Sequence, residues 1–415
     1  MKYFCFFILF CILSSFFITL NSPVLAQSNC TPHPNGDANG DGKATISDFE
    51  LWRGNDQKAD FNCLNGVNNE DFNIWKRNYS GLTLTVCPTG TAGQNGCDFI
   101  GGDGIQQAVD SAPIGTSENK TTILIKSGNY TRQNFSEFIR PSGEKRKCFL
   151  ETKEKNLIIK GENNSILDGQ NSQNMSGICS KKEEVEVLKI SITGFKRDSN
   201  ECFQNPNNIC SSGIGVITYG SAKLIFKNNI LSYNKHGITL YDQSSGFINN
   251  NLIFNNLNLG IYFYNSSQDN NSEVINNVLY QNNSEKIAYD QINVYLKSNV
   301  TITNNIISNG QRGGIFKETN DPNKHIGSLI IRFNNVFNNS YGNYLGLDDK
   351  KGINGNISEN PNFINPDNFN FHLQANSPSK NTGDPSILNP DGSRSDMGAY
   401  GGPNACGLDS TLPGC

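Results

Sequence analysis

Oxygen-bearing side chains recur near the amino end of the chain at the intervals that a calcium loop requires. Counted from Asp37 as position 1, they fall at positions 1, 3, 5, 9 and 12, and Gly42 stands at position 6, where such a loop turns sharply. Calcium takes about six to eight oxygen ligands, and a backbone carbonyl at position 7 supplies one of them. The sequence therefore predicts a calcium site with these ligands: Asp37, Asn39, Asp41, Lys43 through its carbonyl, Thr45 and Asp48.

A second copy of this segment follows 23 residues later and keeps Asp, Asn, Phe and Trp in one register. Leu64 stands where an acidic ligand belongs, and Gly66 comes one place late, so we expect poor or absent calcium binding in this copy. The oxygen ligands that it retains are Asp60, Asn62, Asn68 and Asp71.

Aromatic residues follow each loop, Phe49 and Trp52 after the first and Phe72 and Trp75 after the second. Within each pair the residues are three apart at the start of a short helix. We therefore expect the four rings to pack together as a small core, with an aromatic docking face as the alternative.

The segments from Gly36 to Trp52 and from Ala59 to Arg77 resemble a type I dockerin. The resemblance implies a small α-helical calcium-loop module whose folding depends on calcium. It also implies a cohesin-like protein partner in a polysaccharide-degrading assembly. The second loop and the shortened helices depart from the dockerin pattern.

Four tyrosines occupy one position in successive segments of alternating apolar and polar residues. Each stands four places after the residue that opens its segment, and the four are Tyr219, Tyr241, Tyr264 and Tyr295. Because the neighbouring apolar residues face inward, we expect these rings to point outward and to stack in a row. Exposed aromatic faces suit sugar rings, so the row predicts a substrate-binding surface. The alternative is a ladder of rings that only stabilises the sheet.

Charged residues that could cleave a polysaccharide lie near the tyrosines in the sequence. Elimination from a uronic acid needs a cation at the carboxylate and a Lys or Arg as base, whereas hydrolysis needs two carboxylates. The types suited to elimination are Lys196, Arg197, Asp198, Lys235, His236, Asp242, Asp290 and Lys297, and those suited to hydrolysis are Asp242, Asp290 and Glu318. We take as catalytic candidates Asp242, Lys297, Asp290 and Arg197. Neither set is spaced as a motif, and solvated loop charges are the alternative.

A repeated sequence motif predicts the elements that must position these residues. This phrase consists of two Asn followed by two bulky apolar residues. It begins at Asn228, Asn250, Asn276, Asn304 and Asn334, and its second asparagines are 22, 26, 28 and 30 residues apart. The units are too rich in Asn and Gly for helical repeats, and the alternation between the phrases has the period of a half-buried strand. Each unit therefore predicts one turn of a parallel β-helix. A leucine-rich repeat is the alternative, but its Leu-x-x-Leu-x-Leu skeleton is missing.

The asparagines have a structural role in this interpretation. Asn tolerates the left-handed backbone that a sharp corner demands, and stacked amides can bond from one coil to the next. We therefore assign them to corners and core rather than to a site.

Helical spacing from Gly104 to Asp110 precedes an apolar segment, Thr122 to Tyr130, so we expect a short helix over the open end of the first coil. Early coils are expected at Leu157 to Asp168 and at Val185 to Gly194. This order, with the Asn-rich coils behind it, resembles the right-handed parallel β-helix proteins of the pectate-lyase-like superfamily, and Phe371 to Tyr400 is similar to their closing segment.

The resemblance implies an all-β, single-stranded right-handed parallel β-helix, a solenoid, preceded by the small α-helical module. It specifies the fold better than the activity, because the superfamily includes lyases, hydrolases, epimerases and inert surface proteins.

The 415 residues carry 34 basic and 38 acidic side chains, a net charge of −4 that does not suggest a nucleic-acid partner.

Lys2 and the apolar run from Tyr3 to Leu20 predict an export signal that ends at Ala26, and hence a secreted or cell-surface protein. An uncleaved anchor is the alternative. The expected segments are a signal (1–26), a dockerin-like module (30–80), a linker and cap (81–103), the β-helix (104–402) and a Cys-bearing tail (403–415).

Ten of the 12 cysteines follow the signal, and an even number in an exported protein predicts disulfides. Proximity in the sequence suggests the pairs Cys30 with Cys63, Cys87 with Cys97, Cys148 with Cys179, Cys202 with Cys210, and Cys406 with Cys415.

Together these patterns predict an exported carbohydrate-active β-helix protein that binds and degrades a polysaccharide, as a lyase or a glycoside hydrolase, with a calcium-dependent module for attachment. The alternative is a non-catalytic surface or adhesive protein that binds glycan or acts as a spacer.

Overall fold

The computed structural model describes residues 32, 36–40, 44–64, 66–78, 82–171, 175–196, 212–265, 271–285, 290–318 and 327–415. The chain forms two compact units, residues 1–75 and 76–415. Within the described ranges no helix is long and apolar enough to cross a membrane. Several residues singled out in the sequence lie outside these ranges: the export signal, Cys30, Asp41, Lys43, Arg197, Asp198, Cys202 and Cys210.

The small unit contains α1 (Ile46–Arg53), a 3₁₀ helix (Gln57–Ala59) and α2 (Asn69–Asn78), which continues three residues past the boundary. Thr45 caps α1, because its side chain accepts the N–H of Ser47 while the Asp48 carboxylate accepts the N–H of Thr45. The predicted aromatic core is confirmed. Rings of the four residues contact one another at centroid distances of 4.7 to 6.1 Å: Phe49, Trp52, Phe72 and Trp75.

The large unit consists mainly of three sheets, whose strands are numbered here in chain order. The first sheet contains β1 (Thr83–Cys87), β2 (Phe99–Ile100), β3 (Thr121–Ile125), β7 (Leu157–Gly161), β10 (Glu184–Leu188), β13 (Lys223–Lys227), β16 (Ser245–Asn249), β19 (Asn271–Ile275), β22 (Asn299–Thr303) and β25 (Leu329–Arg332). The second contains β4 (Gly128–Tyr130), β8 (Ser165–Asp168), β11 (Ser191–Thr193), β14 (Ile230–Ser232), β17 (Leu252–Phe254), β20 (Val278–Tyr280), β23 (Ile306–Ser308) and β26 (Asn335–Phe337). The third contains β5 (Ser136–Ile139), β6 (Lys145–Glu151), β9 (Ser176–Lys181), β12 (Ile214–Tyr219), β15 (His236–Asp242), β18 (Leu259–Asn265), β21 (Ile292–Leu296), β24 (Gly313–Lys317) and β27 (Gly342–Leu345).

The chain visits the three sheets in turn, so each coil contributes one strand to each sheet, and the 8-stranded second sheet corresponds to eight described coils. The strand pairings in these sheets are parallel apart from that of β5 with β6. The predicted parallel β-helix is confirmed.

One continuous apolar core fills the interior of the coils. The predicted capping helix is confirmed as α3 (Gly101–Ser111), whose Ile105, Ala108 and Val109 pack into that core. The helix covers apolar surface that would otherwise be open to water at the first coil.

A buried ladder of asparagine side chains runs along the coils between the first and second sheets. The backbone N–H of each member donates to the side-chain oxygen of the next at 2.9 to 3.0 Å. Its members are Asn229, Asn251, Asn277, Asn305, Asn334 and Asn356. The residue before each of the first four members, such as Asn250 and Asn276, has a positive φ. Both structural roles predicted for the asparagines are thus confirmed.

The fifth copy of the repeated phrase was aligned wrongly by one residue. Asn334, not Asn335, accepts the N–H of Asn305, so the ladder step there is 29 residues. Phe333 takes the left-handed corner, and Asn335 opens β26 opposite Ile306.

Asn234, Asn256 and Asn282 begin a second ladder at the other end of the second-sheet strands. Gly310 interrupts this ladder because it has no side chain, and the side chain of Gln291 fills the gap. The Gln291 amide nitrogen donates to Asn339 Oδ1 at 2.7 Å, and the Gln291 amide oxygen accepts from the Asn282 amide at 3.0 Å.

Residues 357–415, the C-terminal arm, fold back over the outer face of the second sheet. The arm contains the antiparallel pair β28 (Phe363–Asn365) and β29 (Asn370–Leu373) and two 3₁₀ helices, Pro366–Asn368 and Ala405–Gly407. Corner asparagines hold it, as when Asn250 donates to the carbonyl of Ala399 at 2.9 Å. The segment assigned to the β-helix up to residue 402 therefore contains this arm as well as the coils, whose last strand is β27.

Three predicted disulfides are confirmed: Cys87 with Cys97, Cys148 with Cys179, and Cys406 with Cys415. The other two pairs involve cysteines outside the described residues.

Candidate functional site

The outer face of the third sheet carries a row of tyrosines, one on each of three neighbouring strands. Tyr241 pairs in register with Tyr264, and Tyr264 with Tyr295. Their ring centroids are 5.9 and 6.3 Å apart. The predicted row is thus present from β15 to β21.

A second row lies beside the first on the same face. Tyr262 pairs with Asn293, which pairs with Phe316. The Tyr262 ring lies 5.2 Å from that of Tyr295 and 5.7 Å from that of Tyr264, and Phe316 lies 5.3 Å from Tyr295. Tyr262 is not among the predicted site residues, although the alternation of a strand places the residue two before Tyr264 on the same face. We define the aromatic face as Tyr241, Tyr262, Tyr264, Tyr295 and Phe316.

The fourth predicted member, Tyr219, is not exposed. Only 1% of it is accessible to solvent, whereas 39% of Tyr264 is. Phe138 of β5 stacks on the Tyr219 ring at 5.5 Å, and the guanidinium of Arg140 lies 4.6 Å from its centroid. The prediction that Tyr219 offers an open ring is therefore wrong, because a segment some 80 residues earlier covers it.

The aromatic face can bind a flat, partly apolar ligand that extends along the solenoid axis. Neighbouring strands are about 4.8 Å apart, so the rings repeat at short and regular intervals. Aromatic side chains provide contact area and stacking energy, and the tyrosine hydroxyls provide hydrogen bonds at the rim. This chemistry suits successive sugar rings better than a compact cofactor.

The catalytic candidates do not converge. Asp242 pairs with Asn265 and Asn265 with Leu296, so Lys297, one residue further on, lies two coils from Asp242, about 10 Å along the axis. Asp290 precedes β21 and Lys297 follows it, and the strand between them is about 13 Å long. Arg197 lies outside the described residues.

Asp290 has a structural environment rather than a catalytic one. It is 1% exposed, and its carboxylate accepts the N–H of Gly313 at 2.8 Å. Burial raises the pKa of Asp290. A polymer cannot reach a carboxyl group that is covered in this way, so its assignment as a catalytic residue is wrong.

A carboxylate pair for hydrolysis is likewise absent from the positions proposed. Glu318 follows β24, three coils beyond Asp242, which is about 14 Å along the axis. Glycosidase carboxylates are about 5 to 9.5 Å apart. Asp242 itself accepts the backbone N–H of Gly220 at 3.1 Å and has a positive φ.

A different cluster forms at the amino ends of the third-sheet strands. Lys196 donates to the carbonyl of Tyr233 at 2.7 Å, Lys235 forms an ion pair with Glu285, and His236 Nε2 lies 3.5 Å from the Asn258 amide. Burial lowers the pKa of Lys196. Lys196, Lys235 and His236 are among the residues predicted from the sequence. Glu285 is not, because it is distant from them in the chain and belongs to no recognisable motif.

In the first predicted calcium loop, the Asp48 carboxylate organises the described residues. Its oxygens accept the N–H groups of Ala38 at 2.7 Å, Asn39 at 2.9 Å and Thr45 at 2.6 Å. Asp37 accepts the N–H of Gly40 at 2.8 Å. The side chains of Asp37 and Asp48 are both buried, and carboxylates in such positions are suited to serve as cation ligands.

The second loop repeats this geometry. Asp71 accepts the N–H of Asn62 at 3.2 Å and of Asn68 at 2.9 Å, as Asp48 does in the first loop. Among the described residues, which exclude Asp41, no cluster of three or more His, Cys, Asp or Glu side chains could hold a metal ion.

Comparison with known proteins supports the fold. The family model described as "Right handed beta helix region" matches residues 149–291. No curated protein matches the chain. Similar solved structures include pectate lyase Pel9A, with 14% identity, a TM-score of 0.41, and coverage of 77% of this chain and 96% of that one. A pectate lyase variant from Xanthomonas campestris has 14% identity, a TM-score of 0.33, and coverage of 65% and 82%. The family match and the strand topology together give a right-handed parallel β-helix.

Proposed function

We propose that this chain is an exported carbohydrate-binding β-helix protein that holds a polysaccharide along its aromatic face. The observation that carries the proposal is the convergence of five aromatic side chains on the outer face of four adjacent strands, where tertiary packing covers none of them fully. A ring that only stabilised the sheet would not need to be open to solvent, whereas 39% of Tyr264 is exposed.

Binding to a panel of polysaccharides tests the proposal. Tyr262→Ala and Tyr264→Ala should each weaken binding about fivefold, since stacking on one ring contributes about 1 kcal/mol. Tyr341→Ala is the matched control, because Tyr341 is 67% exposed and lies outside the aromatic face. Equal binding by all three variants and the wild type would exclude this face as the site.

Degradation of a polymer is a second candidate, favoured by the charged cluster at the amino ends of the third-sheet strands, where Lys196 lies near the Lys235–Glu285 ion pair. Burial lowers the pKa of Lys196, and such an amine is suited to take the proton next to a uronate carboxylate. Incubation with acidic and neutral polysaccharides should then yield unsaturated uronates, detected by absorbance, and Lys196→Met should abolish them. Retained binding without unsaturated products or reducing ends from any polymer would leave the protein non-catalytic.

For the small unit we propose calcium binding in the first loop and attachment to a cohesin-like partner. The oxygen spacing from Asp37 to Asp48 and the hydrogen bonds that Asp48 accepts from Ala38, Asn39 and Thr45 support the calcium site. If the module has this function, it should bind a type I cohesin in calcium and release it when the calcium is chelated. Binding that is unaffected by chelation would argue against this role.

A further inference from the structure

A hairpin closes one end of the aromatic face. It is formed by β5 and β6, an antiparallel pair at the edge of the third sheet. Phe138 of this hairpin lies over Tyr219, at the place where the row of tyrosines would otherwise continue past Tyr241. The hairpin therefore covers the place where the next sugar ring of a ligand on the aromatic face would stack, beyond Tyr241.

The hairpin is held in place. Cys148 of β6 forms a disulfide with Cys179 of β9, and both cysteines are fully buried. They share a small apolar cluster with Phe138 and Tyr219, separate from the main core. A covalent link and a core of its own make the hairpin a fixed part of the fold rather than a lid.

Arg140 lies at the edge between the hairpin and the aromatic face. Its guanidinium carbon is 4.6 Å from the ring centroid of Tyr219 and 5.4 Å from that of Tyr241. It forms an ion pair with Glu144, which the turn at the hairpin tip places beside it. Arg140 Nε is buried and has no hydrogen-bond partner within the described residues, but 23% of the side chain as a whole is exposed. A guanidinium offers several fixed donors, so its exposed part can also bond a ligand hydroxyl or ring oxygen.

The opposite end of the face has no such obstacle on the described strands. Beyond Phe316 the third sheet ends with β27, where Leu345 is the register partner of Phe316. From Tyr241 to Phe316 the face covers four strands, about 14 Å along the axis.

We infer that the aromatic face receives the end of a polysaccharide chain, with the β5–β6 hairpin as a stop and Arg140 in contact with the terminal sugar. This inference rests on the proposed function. A chain that runs along the rings toward β12 meets Phe138 and Arg140 and cannot continue in the same line, whereas it can leave past Phe316.

Stoichiometry distinguishes end binding from internal binding. Polygalacturonate and xylan, each fractionated by length, would be titrated with the full-length protein by calorimetry. For the polymer that binds, the number of protein molecules per polymer chain should stay constant as the chain lengthens. A number that rises in proportion to length would overturn the stop while leaving the proposed function intact. Failure of both polymers and their six-unit oligosaccharides to bind would overturn both.

Two variants test the parts of this inference. Arg140→Ala should weaken binding about tenfold for every fraction without changing the stoichiometry, while Lys147→Ala, on the same hairpin, should not. Replacing residues 138–146 by a two-residue Asn-Gly turn keeps the in-register pair Glu137–Lys147 and removes both Phe138 and Arg140. It should open the end of the face, so that the stoichiometry rises with length. Circular dichroism would verify that both variants are folded. Constant stoichiometry in the shortened hairpin would show that the hairpin is not the stop.

Discussion

The indole N–H of Trp75 donates a hydrogen bond of 2.7 Å to the backbone carbonyl of Thr45, 30 residues earlier in the chain. Trp52 makes the matching bond to the carbonyl of Asn68 at 2.9 Å. Thr45 and Asn68 occupy the same position in their loops, so each helix is tied to the loop of the other copy. Ordering one loop therefore stabilises both helices.

This relationship makes calcium binding measurable by fluorescence. The chain has two tryptophans, Trp52 and Trp75, and both lie in the small unit, so their emission reports on that unit alone. We expect calcium added to chelator-treated protein to change the emission and calorimetry to give about one tight site. Asp41→Ala should abolish both signals, because a ligand at position 5 is lost.

Asp60→Ala is the control for the calcium experiment. It alters the equivalent first position of the second loop, where Leu64 already replaces a ligand, and it should leave the tight site unchanged. Two equal sites in the wild type would show that the second loop binds calcium as well.

The coils were predictable because each of them repeats the same local requirement. A corner needs a left-handed residue and a buried amide, and the Asn-Asn phrase supplies both, as at Asn276 and Asn277. The fifth phrase misled because Phe333 occupies the left-handed corner, a conformation that bulky residues seldom adopt. Aligning the fifth repeat by residue identity alone therefore assigns Asn335 to the ladder position that Asn334 occupies.

The candidate site was predictable only in part. Register along the strands gave Tyr241, Tyr264 and Tyr295, but burial of Tyr219 depends on Phe138 and its hairpin, a contact that no local pattern encodes. The charged candidates do not converge for a related reason. Asp290 and Lys297 lie at opposite ends of β21, and Asp242 and Lys297 lie at the same end of their strands but two coils apart.

The asparagine ladder should contribute strongly to stability. Asn277 accepts from the backbone and side-chain N–H groups of Asn251, both at 2.9 Å, and donates to the carbonyl of Ile248 at 2.7 Å. Asn277→Leu would leave these buried groups without partners, so the free energy of unfolding should fall by about 3 kcal/mol or more. Denaturation followed by circular dichroism measures this, with Asn163→Leu at an exposed position as the control. A loss no larger than that of the control would mean that the ladder is dispensable.

Asp290 should make stability depend on pH. Burial raises its pKa in the folded state above the ordinary value of 3.8, so the folded protein holds this proton more tightly than the unfolded chain does. The resulting stabilisation is fully present below the ordinary pKa and is lost as the pH rises through the folded-state pKa. Asp290→Asn cannot titrate. The stability of the wild type relative to this variant should therefore fall with rising pH in that window, by at most about 1.4 kcal/mol per pH unit. A difference that grows with pH would contradict the assigned direction.

In a double-mutant cycle, Gly310→Asn should lower the stability of the wild type but raise the stability of the Gln291→Ala variant. A Cβ atom added at Gly310 would lie 2.8 Å from Gln291 Cγ, 3.0 Å from Gln291 Nε2 and 2.8 Å from Asn339 Oδ1. The glutamine side chain fills the place of the missing ladder asparagine, and Asn339 Oδ1 is the end of a side chain that can shift. Gly310→Asn should thus destabilise the wild type through this clash. Gln291→Ala should also destabilise it, by leaving Asn339 and Asn282 short of partners that they now have at 2.7 and 3.0 Å. Combined, the new asparagine enters the vacated space and restores the ladder, so the double variant should be more stable than either single one. Thermal unfolding of the four proteins measures the coupling, and additive losses would show that Gln291 does not substitute for a ladder residue.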